Sequence, residues 1–312
     1  MGKEATLVEF GKKKVQVPQS WNDLPLRDVL YCYEVIMQDA GEWIGPAELL
    51  PHKKILLARR LLNMSSTYME QWEQDRIQEH GLHDGQLVFI AELDQVLSTV
   101  NFLFEPQGED NEVSIALTYT NIPYPYLESQ KRGKNGKRTR LYGPKNALEN
   151  ITLFELGYTF QTFEKFIETQ EEQWADHLIA ALYRPQKPMT QENRRTAYYG
   201  DIRMPLYRLE HMIEKRQELT KTLPAIVKRI ILFWFASCRK QIIQEYENIF
   251  QSNKDKPGRH VGNDYGWGGI LLGLAGGLAD LDQIANRPYQ DGLVNLSYLE
   301  DQRKSMEMWG HK

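Results

Sequence analysis

The segment from Leu223 to Phe250 constrains the fold more than any other part of this chain. Leu223, Ile226, Val227, Ile230, Ile231, Trp234, Cys238 and Ile242 recur at spacings of three and four, which places them on one face of an α-helix. Phe233 and Phe235 fall off that stripe and widen the apolar surface. A helix that is apolar on nearly two sides has to be enclosed by other elements. The segment therefore predicts the central helix of a mainly α domain.

The other elements are read around it. Residues 5–18 suggest a β-hairpin, with Leu7, Val8 and Phe10 before Gly11 and a lysine-rich turn, then Val15 and Val17 before Pro18. A helix should begin near Pro25, because proline at the first helical position gives up no needed N–H. Further helices are expected over Ile55 to Leu62 and across 65–104, with breaks near Gly81 and Gly85. Residues 106–145 change character. Val113, Ile115, Leu117 and Tyr119 alternate as in a strand, and Asn135-Gly136 carries the signature of a tight hairpin turn, so an exposed β-arm is expected. Thr152-Leu153-Phe154-Glu155 fits a capping box opening a helix that runs to about Tyr183. Residues 184–204 read as a loop, 251–264 as a polar linker, and Pro288 to Met308 as a last helix.

The expected fold class is mainly α: helical bundle halves with a small N-terminal β-hairpin and a central basic β-arm. Its segments are 1–105 (hairpin plus helical domain), 106–148 (β-arm), 149–252 (central helical domain) and 253–312 (glycine-rich helical segment). The length of 312 residues suits about two domains. A hydrophobic fraction of 41% and a charged fraction of 26% are those of a globular protein. Net charge is -4, which argues against a protein that coats nucleic acid along its whole surface. Cys32 and Cys238 lie among apolar residues and predict buried, reduced thiols in a cytoplasmic protein. No membrane span is expected, since Lys228 and Arg229 interrupt one apolar stretch and the other, at 267–281, is glycine-dense and shorter than the ~20 residues a span needs.

No catalytic, cofactor or metal site is expected. His80 and His83 are the one close histidine pair, with no cysteine near in sequence to complete a zinc set. Gly266 and Gly268 are followed by Leu271 where a dinucleotide fingerprint needs glycine, and no Walker loop occurs. Gly269, Gly273 and Gly277 recur every four residues, giving a smooth helix face suited to close packing. Together with Trp267, Met306, Met308 and Trp309 they form the expected partner-binding surface, because methionine adapts to irregular partners and tryptophan anchors interfaces. The second candidate surface is the arm. Lys131, Arg132, Lys134, Lys137, Arg138 and Arg140 gather near Tyr124, Tyr126 and Tyr142. The arm reads as a solvated tip, a site for an acidic protein, or a site for nucleic acid.

Three stretches carry a resemblance. Pro18-Gln19-Ser20-Trp21-Asn22-Asp23-Leu24-Pro25-Leu26 resembles the opening of phage and prophage tail-morphogenesis proteins. Leu178 to Pro185, Tyr199-Gly200-Asp201 and Leu232-Phe233-Trp234-Phe235 are similar to a segment of the same group. The run from Tyr265 through Asp282-Gln283-Ile284 to Leu293 and Tyr298-Leu299 resembles the C-terminal ends of tail assembly chaperones. The resemblance implies a non-enzymatic helical factor that binds phage tail or tape-measure proteins, or stays in the virion as a minor structural protein, with self-association a further option. The length and the basic arm depart from the small chaperones. A nucleic-acid-associated virion or packaging factor and an unrecognised enzyme stay open as alternatives.

Overall fold

The computed structural model describes residues 6–10, 13–38, 46–105, 114–132, 138–187, 201–206, 211–250, 266–276 and 279–310. It is mainly α and divides into two compact units, Met1–Tyr119 and Thr120–Lys312. Each sheet described is a two-stranded antiparallel hairpin.

In the first unit, β1 (Thr6–Phe10) pairs with β2 (Lys13–Val17) as the alternation predicts. Helix α1 (Leu26–Met37) follows, with Pro25 as its N-cap residue and not its first helical residue. Val29, Cys32, Val35 and Ile36 turn inward from it, and Lys53 Nζ donates to Ile36 O at 2.5 Å, placing a cation on the last turn where free carbonyls accumulate. Helix α2 (Pro46–Leu61) starts earlier than expected and carries Pro51 inside it. Pro51 lies in the second turn and has no N–H to give to the carbonyl of Ala47 four residues before it.

Helices α3 (Ser66–His80) and α4 (Leu82–Ser98) are separated at Gly81, whose φ of 87° favours glycine. Gly85, expected as a second break, lies inside α4. A Cβ there would stand 2.5 Å from Arg76 O, so Gly85 is where α4 crosses close over α3. Glu92 on α4 accepts from Trp72 Nε1 at 3.0 Å and from Arg76 Nε at 2.7 Å, fixing the pair. The strand expected across 113–119 is reduced to one bridge, Phe104 to Ile115; Val113 lies outside the described residues.

The second unit is built on α5 (Leu153–Thr169), α6 (Glu172–Leu182), α7 (His211–Thr220) and α8 (Ala225–Glu245). The one long helix expected to Tyr183 is two, because Gln170 turns to a left-handed φ of 56°. Ile230, Ile231, Trp234, Cys238 and Ile242 of the α8 stripe are buried, and so are Phe233 and Phe235 off it. Phe235 meets Phe160 and Phe163 of α5 at ring-centroid distances of 6.1 and 5.3 Å, forming the aromatic centre of the unit. The helix begins after Pro224 and ends at Glu245, with a short α9 (Glu247–Phe250) behind it. Helices α10 (Gly266–Ala275), α11 (Leu281–Ala285) and α12 (Tyr289–Gly310) complete the unit. Strands β3 (Tyr126–Arg132) and β4 (Arg138–Tyr142) form the arm; the Asn135-Gly136 turn and the 251–264 linker lie outside the described residues.

Candidate functional site

The C-terminal candidates separate. Trp267 on α10 is partly buried against the protein's own α5: a Cβ at Gly157 would lie 2.7 Å from Trp267 Cγ. Its ring meets Phe160 edge-on at 6.0 Å and Phe250 at 6.3 Å. Gly269 is partly buried, a Cβ at Gly273 would meet open space, and Gly277 lies outside the described residues. Glycine-mediated close packing occurs instead at Gly157 and at Gly292, where a Cβ would meet Leu153 at 2.6 Å. Period-four spacing did not point to Gly157 and Gly292, since only contact across elements shows that these two need to be small.

Helix α12 has two faces. Tyr289, Gly292 and Leu293 are buried, while Val294, Tyr298, Leu299 and Met306 are exposed at 59, 60, 47 and 70%. Asn248 Nδ2 donates to Asp301 Oδ1 at 3.2 Å, and from there every side chain through Met306 is exposed. Met308 and Trp309 lie on the same helix, with side chains outside the described residues.

The arm is anchored at its root. Tyr142 N donates to Arg184 O at 2.7 Å, and Arg184 N returns a bond to Tyr142 O at 3.0 Å. Strand alternation sorts the side chains. Leu127 and Leu141 are buried and face Leu219, Thr220 and Leu223. Tyr126, Glu128, Arg140 and Tyr142 stand on the other face. Arg140 Nε donates to Glu128 Oε1 at 2.7 Å, and its guanidinium lies 4.8 Å over the Tyr126 ring. Arg138 lies 3.7 Å from Glu128 and is exposed. The side chains of Lys131 and Arg132, and all of Lys134 and Lys137, lie outside the described residues.

Two features were not read from the sequence. The first is a buried ion cluster. Glu155 accepts from Arg184 Nη1 at 2.5 Å, and Arg203 Nη2 lies 3.3 Å from Glu155 Oε2 and 2.7 Å from Asp201 Oδ2. Arg203 Nη1 donates to Leu182 O at 2.8 Å. All four charged side chains are almost wholly buried. Burial first, and the Arg203 charge second, hold the Arg184 guanidinium below its ordinary value. Thr152 Oγ1 does accept from Glu155 N at 3.1 Å, as a capping box requires, but the Glu155 carboxylate is committed to the arginines. The cluster closes a narrow neck, in which Lys187 N donates to Ile202 O and Met204 N to Pro185 O.

The second is a cavity of about 560 Å³ at the root of the arm. Tyr126, Tyr142, Ile122, Pro125 and Pro144 supply apolar wall, and Lys145, Asn146, Asn150 and Asp201 supply polar groups. Asp201, the one carboxylate among the lining residues, is tied to Arg203. Leu148, just beyond, holds a left-handed φ of 60°, an uncommon conformation for a bulky residue.

Among the described residues no three His, Cys, Asp or Glu side chains gather as a metal site, and no helix is long and apolar enough to cross a membrane. No family model, no curated protein and no solved structure matches this chain.

Proposed function

We propose that this chain works by protein–protein contact, as an assembly factor or minor structural component of a phage tail, in the cytoplasm of the host cell or in the particle. The family part of this reading rests on the sequence resemblance. The contact part rests on α12, which docks one face on α5 and leaves Val294, Tyr298, Leu299 and Met306 in solvent. Every side chain from Asp301 to Met306 is exposed, and the exposed apolar side chains of Val294, Tyr298 and Leu299 just before them suit a helix-in-groove partner.

The test is an affinity pull-down from cells that also express the neighbouring genes. Removing residues 265–312 would strip α10 and α12 from the core, so charged substitutions on the exposed row are the cleaner perturbation. Recovery of a tail or tape-measure component by the intact protein, lost with Tyr298→Glu plus Met306→Glu, supports the reading. If the well-folded intact protein recovers none of these components, the tail-assembly reading fails.

A further inference from the structure

The charge of this chain is unevenly distributed. Segment 126–145 carries one acidic residue, Glu128, against the six basic residues of the arm and Lys145, in a chain whose net charge is -4. Lys145 lines the cavity, is exposed, and has no ion pair among the described residues. Arg140 and Arg138 stand on the same hairpin face as Tyr126 and Tyr142.

The cavity wall adds what a plain cationic patch lacks. Tyr126 is 44% exposed and Tyr142 is half-buried, their rings 6.3 Å apart across the hairpin, so a planar group entering the cavity meets aromatic surface, one face of Tyr126 being already covered by the Arg140 guanidinium. Asn150 is 7% exposed and lines the cavity, and its Oδ1 accepts from Lys145 N at 2.6 Å. Asn146 Oδ1 accepts from Ile122 N at 2.9 Å. With each oxygen engaged by backbone, both amide Nδ2 groups remain as donors without partners among the described residues. A nucleotide offers such a group: a planar base with acceptors on its edge and a charged phosphate attached. The volume lies within the ordinary range of ligand sites.

We propose that this cavity receives an unpaired base of a single-stranded nucleic acid, whose phosphates lie along Lys145, Arg140 and Arg138. The base stacks at Tyr126 and Tyr142 and accepts from Asn150 and Asn146 on its edge. A duplex keeps its bases stacked inside and has none to offer. An acidic peptide also offers oxygens to the cations and the amide donors, so stacking at Tyr126 is what separates a base from it. The site is independent of the α12 surface and stands whether or not that surface binds a tail component.

The experiment is fluorescence anisotropy on the full chain with labelled oligothymidylate and oligouridylate of about ten nucleotides. The same sequence as a duplex, a mononucleotide and a polyglutamate peptide serve as competitors. The expected result is salt-sensitive binding of the single strand that the other three displace poorly, weakened about tenfold by Tyr126→Ala, the scale of one lost stacking contact. Lys145→Glu, at an exposed side chain with no ion pair among the described residues, should weaken binding and flatten its salt dependence without unfolding the protein. Absence of binding at low salt overturns the proposal. So does binding that Tyr126→Ala leaves unchanged, since the arm would then act by charge alone. Equal competition by polyglutamate would reassign the site to an acidic protein, and tighter binding of the mononucleotide would reassign it to a free nucleotide. Either result overturns the strand proposal.

Discussion

Glu155 and Arg184 lie 29 residues apart in sequence and 2.5 Å apart in space, with both side chains withdrawn from solvent. The carboxylate bridges two arginines, because Arg203 reaches its second oxygen, and Asp201 supplies the second negative charge. Removing one member of such a set leaves the others charged and buried. Glu155→Gln is expected to destabilise the protein by about 3–5 kcal/mol, a large share of an ordinary domain's stability. Glu164→Gln, which breaks a half-exposed pair with Arg239, is expected to cost less than about 1 kcal/mol. Urea unfolding of the two variants checks the contrast. Similar losses would mean the buried cluster is not closed as described.

Gly157 and Gly273 should respond in opposite directions to alanine. At Gly157 the added methyl meets the Trp267 ring, and overpacking of that kind costs about 1–3 kcal/mol. At Gly273 the methyl meets nothing, so stability is expected to hold or rise by up to about 1 kcal/mol from helix propensity. Thermal melting of the two variants distinguishes the two sites.

His177 supplies a pH dependence. Tyr158 Oη lies 2.6 Å from its Nε2, and Trp174 packs on the ring. Burial holds its pKa below the ordinary 6.5; Glu214 opposes that shift, while Lys165 and Arg216 add to it. The unfolded chain therefore takes up the proton at a higher pH than the folded one. Stability from the neutral ring is present above 6.5 and shrinks as pH falls toward the folded-state value. His177→Phe removes this titration, and the fall in urea midpoint between about pH 7.5 and about pH 5.5 should be smaller than in the parent protein. An unchanged slope would assign the acid sensitivity to other groups.

The two thiols should be silent in the native state. Burial pushes Cys32 up to about 12 and raises Cys238 as well, so neither forms appreciable thiolate near neutral pH. A disulfide-exchange reagent is expected to label neither cysteine in the folded protein and both in guanidinium. Rapid native labelling would show one of these helices opening far more readily than its packing suggests.

The central helix, the N-terminal hairpin and the last helix were legible because each follows from a short-range pattern. Ile230, Ile231, Trp234 and Cys238 announce their burial through spacing alone. Glu155 shows the limit of such reading. Its position after Thr152 satisfies a local rule, but its carboxylate is claimed by arginines 29 and 48 residues downstream, which no window of that size contains. The same holds for Gly157 and Gly292, whose need to be small comes from Trp267 and Leu153. The basic arm was visible as charge. The cavity at its root was not, since residues 122–126, 142–150 and 201–202 meet there only after folding.

The neck closed by Arg203 has a consequence for how this chain could vary. Lys187 and Ile202 are joined by a backbone hydrogen bond, so two positions well apart in sequence are held together in the fold. Between such fixed gateposts, doubling the number of intervening residues adds only about 0.6 kcal/mol of closure entropy. The number of residues between Lys187 and Ile202 can therefore change at little closure cost as long as that hydrogen bond and the Arg203 contacts hold the two ends together.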